Sequence, residues 1–234
     1  MLSIIIPTFS EEKYLPFLLE SIKKQKFTDY EIIVADANSQ DKTVEIAKTF
    51  DCKVVSGGSP AKGRNEGAKA AQGDIFLFTD ADNIFWSENF LETLMREFKK
   101  RNLDIATFPI YPKGKKIDKI LYGIYNNFIN LTQYPAAFNS ILVKREIFEK
   151  VGGFDEEIKI GEDQYFVKMA KKYGKFGFIK TEPVLTSSRR LERDGRLITY
   201  LTHIISGIHF LLVGGRIKSD FYRYRFGYGL KNKK

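Results

Sequence analysis

"DIFLFTDADN", residues 74–83, decides the fold. Ile75 to Thr79 carry no charge, the pattern of a strand covered on both faces, and Asp80 and Asp82 follow two positions apart. Residues two apart on extended backbone point to the same side, so a buried strand ends in two like-directed carboxylates. Such a pair repels unless a cation or water lies between. A hard divalent cation with oxygen ligands, Mn2+ or Mg2+, relieves the repulsion and suits a site that also binds phosphate. Asp-Ala-Asp-Asn is equally good turn chemistry, so the pair alone does not establish a metal site.

Outward from this stretch, apolar runs alternate with helical periods. Strands are expected at 2–7, 31–37, 52–57 and 74–80, and helices at 11–25, 39–50, 63–73 and 87–102. Ser39 or Asp41 is the expected cap of the second helix, and Ser87 of the fourth. The rhythm predicts an α/β fold with a doubly wound, mostly parallel sheet. Such sheets bind ligands beyond the carboxyl ends of their strands. Those ends carry Pro7-Thr8, Asp36, Ser56-Gly57 and Asp80-Ala81-Asp82, which should meet in one crevice. After residue 104 the expectation is a strand at 104–110, an aromatic helix at 117–133, then strand, short helix and turn over 136–156. A helix with an acidic first turn and a last strand from 176 follow.

The 234 residues fit one domain, 1–195, with a C-terminal helical and basic extension, 196–234. Hydrophobic residues at 43% support a full core and exclude global disorder. The net charge of +9 suggests an anionic partner, whether a phosphorylated small molecule, a membrane surface or nucleic acid, though a solvated Lys-rich surface also accounts for it. Cys52 is the only cysteine, which rules out an intrachain disulfide and a cysteine-rich zinc site. The opening "MLSIIIPTFSEE" reads as a first strand and not as a signal peptide, so a cytoplasmic protein is expected.

Further polar groups surround the acid pair. Asp36 suits acceptance of hydrogen bonds from a base or ribose. Lys62 and Arg64 stand at a Gly-containing helix entry that suits a phosphate, or an ordinary packed helix. Glu162-Asp163 either complement a helix dipole or include a general base that takes a proton from an acceptor hydroxyl.

Together these segments resemble the family 2 glycosyltransferases, inverting nucleotide-sugar enzymes of the GT-A fold. The matching stretches are "SIIIPTFSEEKYLPFLLESI", "EIIVADANSQDKTVEIAK", "AKGRNEGAKAAQGDIFLFTDADN" and "VGGFDEEIKIGEDQYFVKMAKKYGK", within residues 3 to about 175. The resemblance implies that Pro7, Thr8 and Glu11 form a loop contacting the nucleotide and that Asp36 binds the nucleoside. It implies that Lys62, Arg64 and Asn65 contact nucleotide or sugar. Asp80 and Asp82 would hold Mn2+ or Mg2+ against the diphosphate, with Asp80 also on the nucleotide-sugar side. Asp163, beside Glu162, would be the base, and Arg189 and Arg190 would neutralise the leaving diphosphate. The implied partners are a UDP- or GDP-linked sugar and a glycan or polyprenyl-phosphate acceptor. The sequence departs from the family at Ala37, where many members carry a second acid, and no histidine stands near 183–193.

The stretch 197–215 has 19 residues without Asp, Glu, Lys or Arg. Thr199, Thr202, His203, Ser206 and His209 recur at helical spacing as one polar stripe. An amphipathic helix is expected, packed on the domain or lying in a membrane interface, with a true membrane span of about 20 residues as the third reading. Arginines and lysines bracket it, so peripheral membrane contact through 197–225, on the inner face, is one expectation. The other functions weighed are a nucleotidyltransferase and a non-catalytic nucleotide- or nucleic-acid-binding protein. The first lacks the usual Gly-rich loop in "IIPTFSEEKYL". Nucleic acid is not expected as a partner, because an acidic crevice repels phosphate backbones.

Overall fold

A computed structural model describes residues 1–132, 134 and 140–212. The elements in order are β1 (Leu2–Thr8), α1 (Leu15–Lys23), β2 (Tyr30–Asp36), α2 (Thr43–Thr49), β3 (Lys53–Ser56), α3 (Pro60–Ala70) and β4 (Ile75–Phe78). Then come β5 (Asn83–Phe85), α4 (Phe90–Lys100), β6 (Ile105–Thr107), β7 (Ile110–Pro112), α5 (Lys116–Thr132), β8 (Ile141–Lys144) and α6 (Arg145–Val151). The last are α7 (Glu162–Ala170), β9 (Phe176–Phe178), β10 (Val184–Thr186), α8 (Arg189–Arg193) and α9 (Arg196–Leu212).

The main sheet has the order β3-β2-β1-β4-β8-β6-β9. Its first four strands are parallel, and β8 runs antiparallel to both β4 and β6. Alternation along β1 shows why the sheet is covered twice. Leu2, Ile4 and Ile6 pack with α1 and α4, while Ile5 packs on the other side with α3, α6 and α7. That second side holds an aromatic group in which Phe154 stacks on Phe166 at 4.3 Å and meets Phe78 edge-on at 4.9 Å. α3 lies close on β1 because it shows glycines to the sheet: a Cβ on Gly67 would come within 2.4 Å of Ile5 Cγ2.

Three expectations are corrected. The single strands expected at 104–110 and from 176 each divide, β6 from β7 and β9 from β10, and the second parts join β5 in a small sheet ordered β5-β10-β7. Pro109 and Pro183 stand in the two breaks, where a residue without an N–H interrupts a ladder; the Pro109 carbonyl accepts from the Val184 N–H at 3.0 Å. The residue at the cap position of α2 is neither Ser39 nor Asp41 but Lys42, which makes no side-chain cap bond; Asp41, one residue earlier, still accepts from the Thr43 N–H, and Ser39 bonds Asp36 instead. α4 begins later than Ser87, after Asn89.

The C-terminal helix is present, but its orientation departs from ordinary packing. Thr199 and Phe210 are buried, and Leu197, Ile198, Leu201, Ile204, Ile205 and Ile208 are exposed. α9 therefore turns part of its polar side inward. No described helix is long and apolar enough to cross a membrane. The remainder of the expected contact segment, 213–225, lies outside the described residues.

The close approach of α3 makes a prediction opposite to helix propensity, by which alanine would stabilise a helical glycine position. Gly67→Ala should destabilise the chain by about 1–3 kcal/mol, through overpacking against Ile5. Urea unfolding checks it; an unchanged or higher midpoint would show that β1 yields to the methyl group.

Candidate active site

The parallel strands end in register, Thr8 opposite Asp36 and Asp36 opposite Ser56. This brings the first expected groups together. Thr8 Oγ1 donates to Asp36 Oδ1 at 2.8 Å, Ser39 Oγ to the same oxygen at 2.6 Å, and the Ser39 N–H to Asp36 Oδ2 at 2.8 Å. Asp36 thus shapes the loop after β2 as well as standing at the strand ends. Pro7 is buried against α3, its Cβ being 3.1 Å from where a Gly63 Cβ would be. Lys62 is exposed.

The turn after β4 carries the two acids. Asn83 holds it from beneath: its Nδ2 donates to Thr79 Oγ1 at 2.9 Å and to Ser140 Oγ at 3.1 Å. Above it sits Arg64, delivered by α3 and only 2% exposed. Its Nη2 donates to Asp80 Oδ1 at 2.9 Å and its Nη1 to Glu162 Oε1 at 2.6 Å. The guanidinium lies over the Phe154 ring, 5.4 Å from its centroid. Burial would lower the Arg64 pKa, but the charges of Asp80, Glu162 and Asp163 outweigh it and raise the value. Arg64 is therefore a fixed cation joining the acid pair after β4 to the acid pair that opens α7. Gly161 allows that opening: it precedes α7 with φ of 75°, in the left-handed region that favours glycine.

A second arginine serves Asp82. Arg189, at the start of α8, donates from Nη1 and Nη2 to the two Glu11 carboxylate oxygens at 2.7 and 2.8 Å. Its Nε lies 3.4 Å from Asp82 Oδ2, and its guanidinium covers the Tyr14 ring at 4.8 Å. Burial raises the Glu11 pKa, against the lowering by Arg189 and with the help of Asp82 and Asp80. Ser187 Oγ also donates to Asp82 Oδ2. The small sheet places it there: Thr186 pairs with Asn83 on antiparallel strands, so the next residue along β10 comes opposite the one before β5.

The expected residues thus divide. Asp80, Asp82, Glu162, Glu11, Arg64 and Arg189 form one charged cluster, and Asp163 acts on Arg64 electrostatically. Asn65 has another use: its Nδ2 donates to the Phe154 carbonyl and to Glu156 Oε1, and its Oδ1 accepts from the Phe154 N–H. Asn65 is thereby a strut holding the turn after α6. Arg190 acts electrostatically on Tyr122 and Asp194. Ser187, Tyr14 and Asn83 were not singled out from the sequence. Only a known pairing of β5 with β10 would have drawn attention to Ser187.

Asp80 and Asp82 are the residues that would hold a divalent ion. Their donors are hard carboxylate oxygens, which suit Mn2+ or Mg2+, and Asp80 is 33% exposed and reachable from the cleft. Among the described residues no group of three or more His, Cys, Asp or Glu could hold a metal. The protein's share of a coordination shell is therefore small, and phosphate oxygens and water would complete it, as is usual for Mg2+. The residues fit on those terms.

The doubly wound sheet with β8 antiparallel within it, the small second sheet and the superpositions given below make this a GT-A fold. The chain belongs to the glycosyl transferase family 2, whose sequence profile matches residues 3–152. It is 28% identical over 187 residues to an uncharacterized glycosyltransferase of Haemophilus influenzae, covering 71% of this chain and 60% of that one. It is 28% identical over 188 residues to the poly(ribitol-phosphate) beta-N-acetylglucosaminyltransferase TarS of Staphylococcus aureus, covering 72% and 32%. This chain thus spans less than two thirds of either relative's length. Among solved structures, S. aureus TarS 1-349 in complex with UDP-GlcNAc superposes with a TM-score of 0.68 at 23% identity, covering 80% of this chain and 58% of that one. The mannosyltransferase PcManGT from Pyrobaculum calidifontis, in complex with GDP-Man and Mn2+, gives 0.67 at 18% identity, covering 88% and 64%. At these identities the structures establish the fold.

Removing the joining cation tests the cluster. Arg64→Met should cost about 3–5 kcal/mol, because it removes the buried cation shared by the partly buried Asp80 and Glu162. Arg64→Lys should recover only part of that loss, since one ammonium lacks the two-pronged reach of a guanidinium. Urea midpoints that match the wild type in both variants would show that the bridge has no stabilising role.

Proposed function

We propose that this chain transfers a sugar, with inversion, from a UDP- or GDP-linked donor to an acceptor hydroxyl, with Asp163 as general base. The observation that carries this reading is the meeting of the Asp80–Asp82 turn and the Glu162–Asp163 pair on Arg64. Diphosphate recognition and proton removal are the two tasks an inverting transfer must perform side by side. Membership of the family and the donors in TarS and PcManGT support a nucleotide-sugar.

On this reading Pro7, Thr8, Glu11 and Asp36 line the nucleoside end, and Lys62 meets the phosphates. Mn2+ or Mg2+, held by Asp80 and Asp82, would supply positive charge to the diphosphate. Arg189 stands where negative charge grows on the leaving group and is already oriented by Glu11, so little reorganisation is needed. Arg190 adds a positive charge further along α8. Arg64 keeps Glu162 in place, and Asp163 accepts the proton as the hydroxyl oxygen attacks the anomeric carbon. A phosphate acceptor, as on a polyprenyl phosphate, is ionised already and would need no such base. In this proposal 1–195 is the catalytic domain, 196–234 an extension, and 197–225 a cytoplasmic-face contact with the membrane.

A hydroxyl acceptor is preferred because a carboxylate able to take its proton, Asp163, opens α7 beside the Arg64 bridge. Asp163→Asn should lower kcat by about 10²–10⁴-fold with a hydroxyl acceptor and leave donor binding intact. Asp82→Ala should abolish the Mn2+-dependent rise in melting temperature given by UDP- or GDP-sugars. Near-wild-type turnover by both purified variants would remove the assigned roles.

A further inference from the structure

Thirteen of the seventeen large apolar side chains exposed on the described chain belong to α5 and α9. On α5 they include Ile117, Ile120, Ile124, Phe128 and Leu131, the last 81% exposed. Isolated apolar residues are ordinary on a surface, but a concentration on two neighbouring helices marks a contact site. Asp118 explains the arrangement. It is fully buried in α5 and accepts from Arg196 Nε at 3.0 Å and from the Tyr200 hydroxyl at 2.8 Å, both on α9. A carboxylate in that position binds the polar side of α9 to α5, leaving the aliphatic side of α9 outward. A buried ion pair is weak as a source of stability but effective in fixing an orientation.

We propose that the outer faces of α5 and α9 together are a docking surface for an anionic lipid bilayer. This deepens the membrane contact proposed above by adding α5 to it. Charge selects the occupant. α9 contains no Asp or Glu, the one acid of α5 is the buried Asp118, and Lys115, Lys116 and Lys119 are exposed at its start. The sequence that follows, 213–234, holds seven Lys or Arg, one Asp and five aromatics. A second copy would bring like charges together. A bilayer with anionic headgroups accepts aliphatic side chains beneath and cations above, without a shaped pocket.

Flotation of the full chain with vesicles tests this. The chain should rise with phosphatidylcholine vesicles containing phosphatidylglycerol at low salt, be released at high salt, and bind pure phosphatidylcholine far less. The pairs Ile120→Glu with Ile124→Glu, and Ile204→Glu with Ile208→Glu, should each lower the bound fraction about tenfold or more. All four sites are exposed and outside the proposed active site. A measurement without variants accompanies them: amide exchange of α5 and α9 should slow on addition of anionic vesicles. The proposal is overturned if the wild type stays below anionic vesicles at low salt, or if the α5 pair leaves binding unchanged. It is overturned too if both helices are already protected without vesicles, or if the same substitutions split a stable dimer in sedimentation. Donor binding measured in solution reads the sugar-transfer proposal by itself, so failure of either leaves the other standing.

Discussion

The molecule is organised around one buried guanidinium. Arg64 carries its charge with 2% exposure because two carboxylates meet its two terminal nitrogens and an aromatic ring lies beneath. Removal of a charge from water costs several kcal/mol unless it is paired in good geometry, so the surroundings must be built to receive it. They are: α3 approaches β1 through glycines, the turn after β4 presents Asp80, and α7 opens on Glu162. Three parts of the chain with separate local requirements are thereby held in one relative position. Arg189 repeats the device on the opposite side, joining Glu11 and Asp82 over Tyr14.

These two arginines also explain how a site crowded with acids exists before any ligand arrives. Glu11, Asp80, Asp82 and Glu162 each have a guanidinium partner. Electrostatic preorganisation of this kind places charge without reorientation at the moment of reaction. On the proposed function, a diphosphate would share cations already engaged by carboxylates, which would favour its arrival together with further positive charge.

Much of the first half of the fold was legible because its strands are apolar on both sides and its helices intervene regularly. Leu2 to Ile6 announce a doubly covered strand by composition alone, and the strand-end rule then gathers Thr8, Asp36 and Asp80. The small sheet was not legible. Its three-residue strands are shorter than any period can reveal, and "DIATFPI" looks continuous until Pro109 is weighed as a break. Asn65 and Glu11 were legible as polar residues near the cleft, but not as a strut and a counter-charge, because those uses depend on partners 89 and 178 residues away. On α9 the sequence announced a helix; that its first turns lean on α5 through Arg196 and Tyr200 depended on Asp118, buried in a different helix.

The pairing of β5 with β10 has a consequence for how the cleft tolerates change. Ser187 meets Asp82 as the next rung of a ladder already formed by Thr186 and Asn83. Its location is thus dictated by main-chain pairing, and a different small side chain there would keep the same place. A slip of β10 by a single residue would not be so forgiving. Every side chain beyond it would change face, and Arg189 would be carried away from both of the acids it serves. The length of the connection from β9 to β10 is therefore under tighter constraint than the chemical character of the residues it delivers.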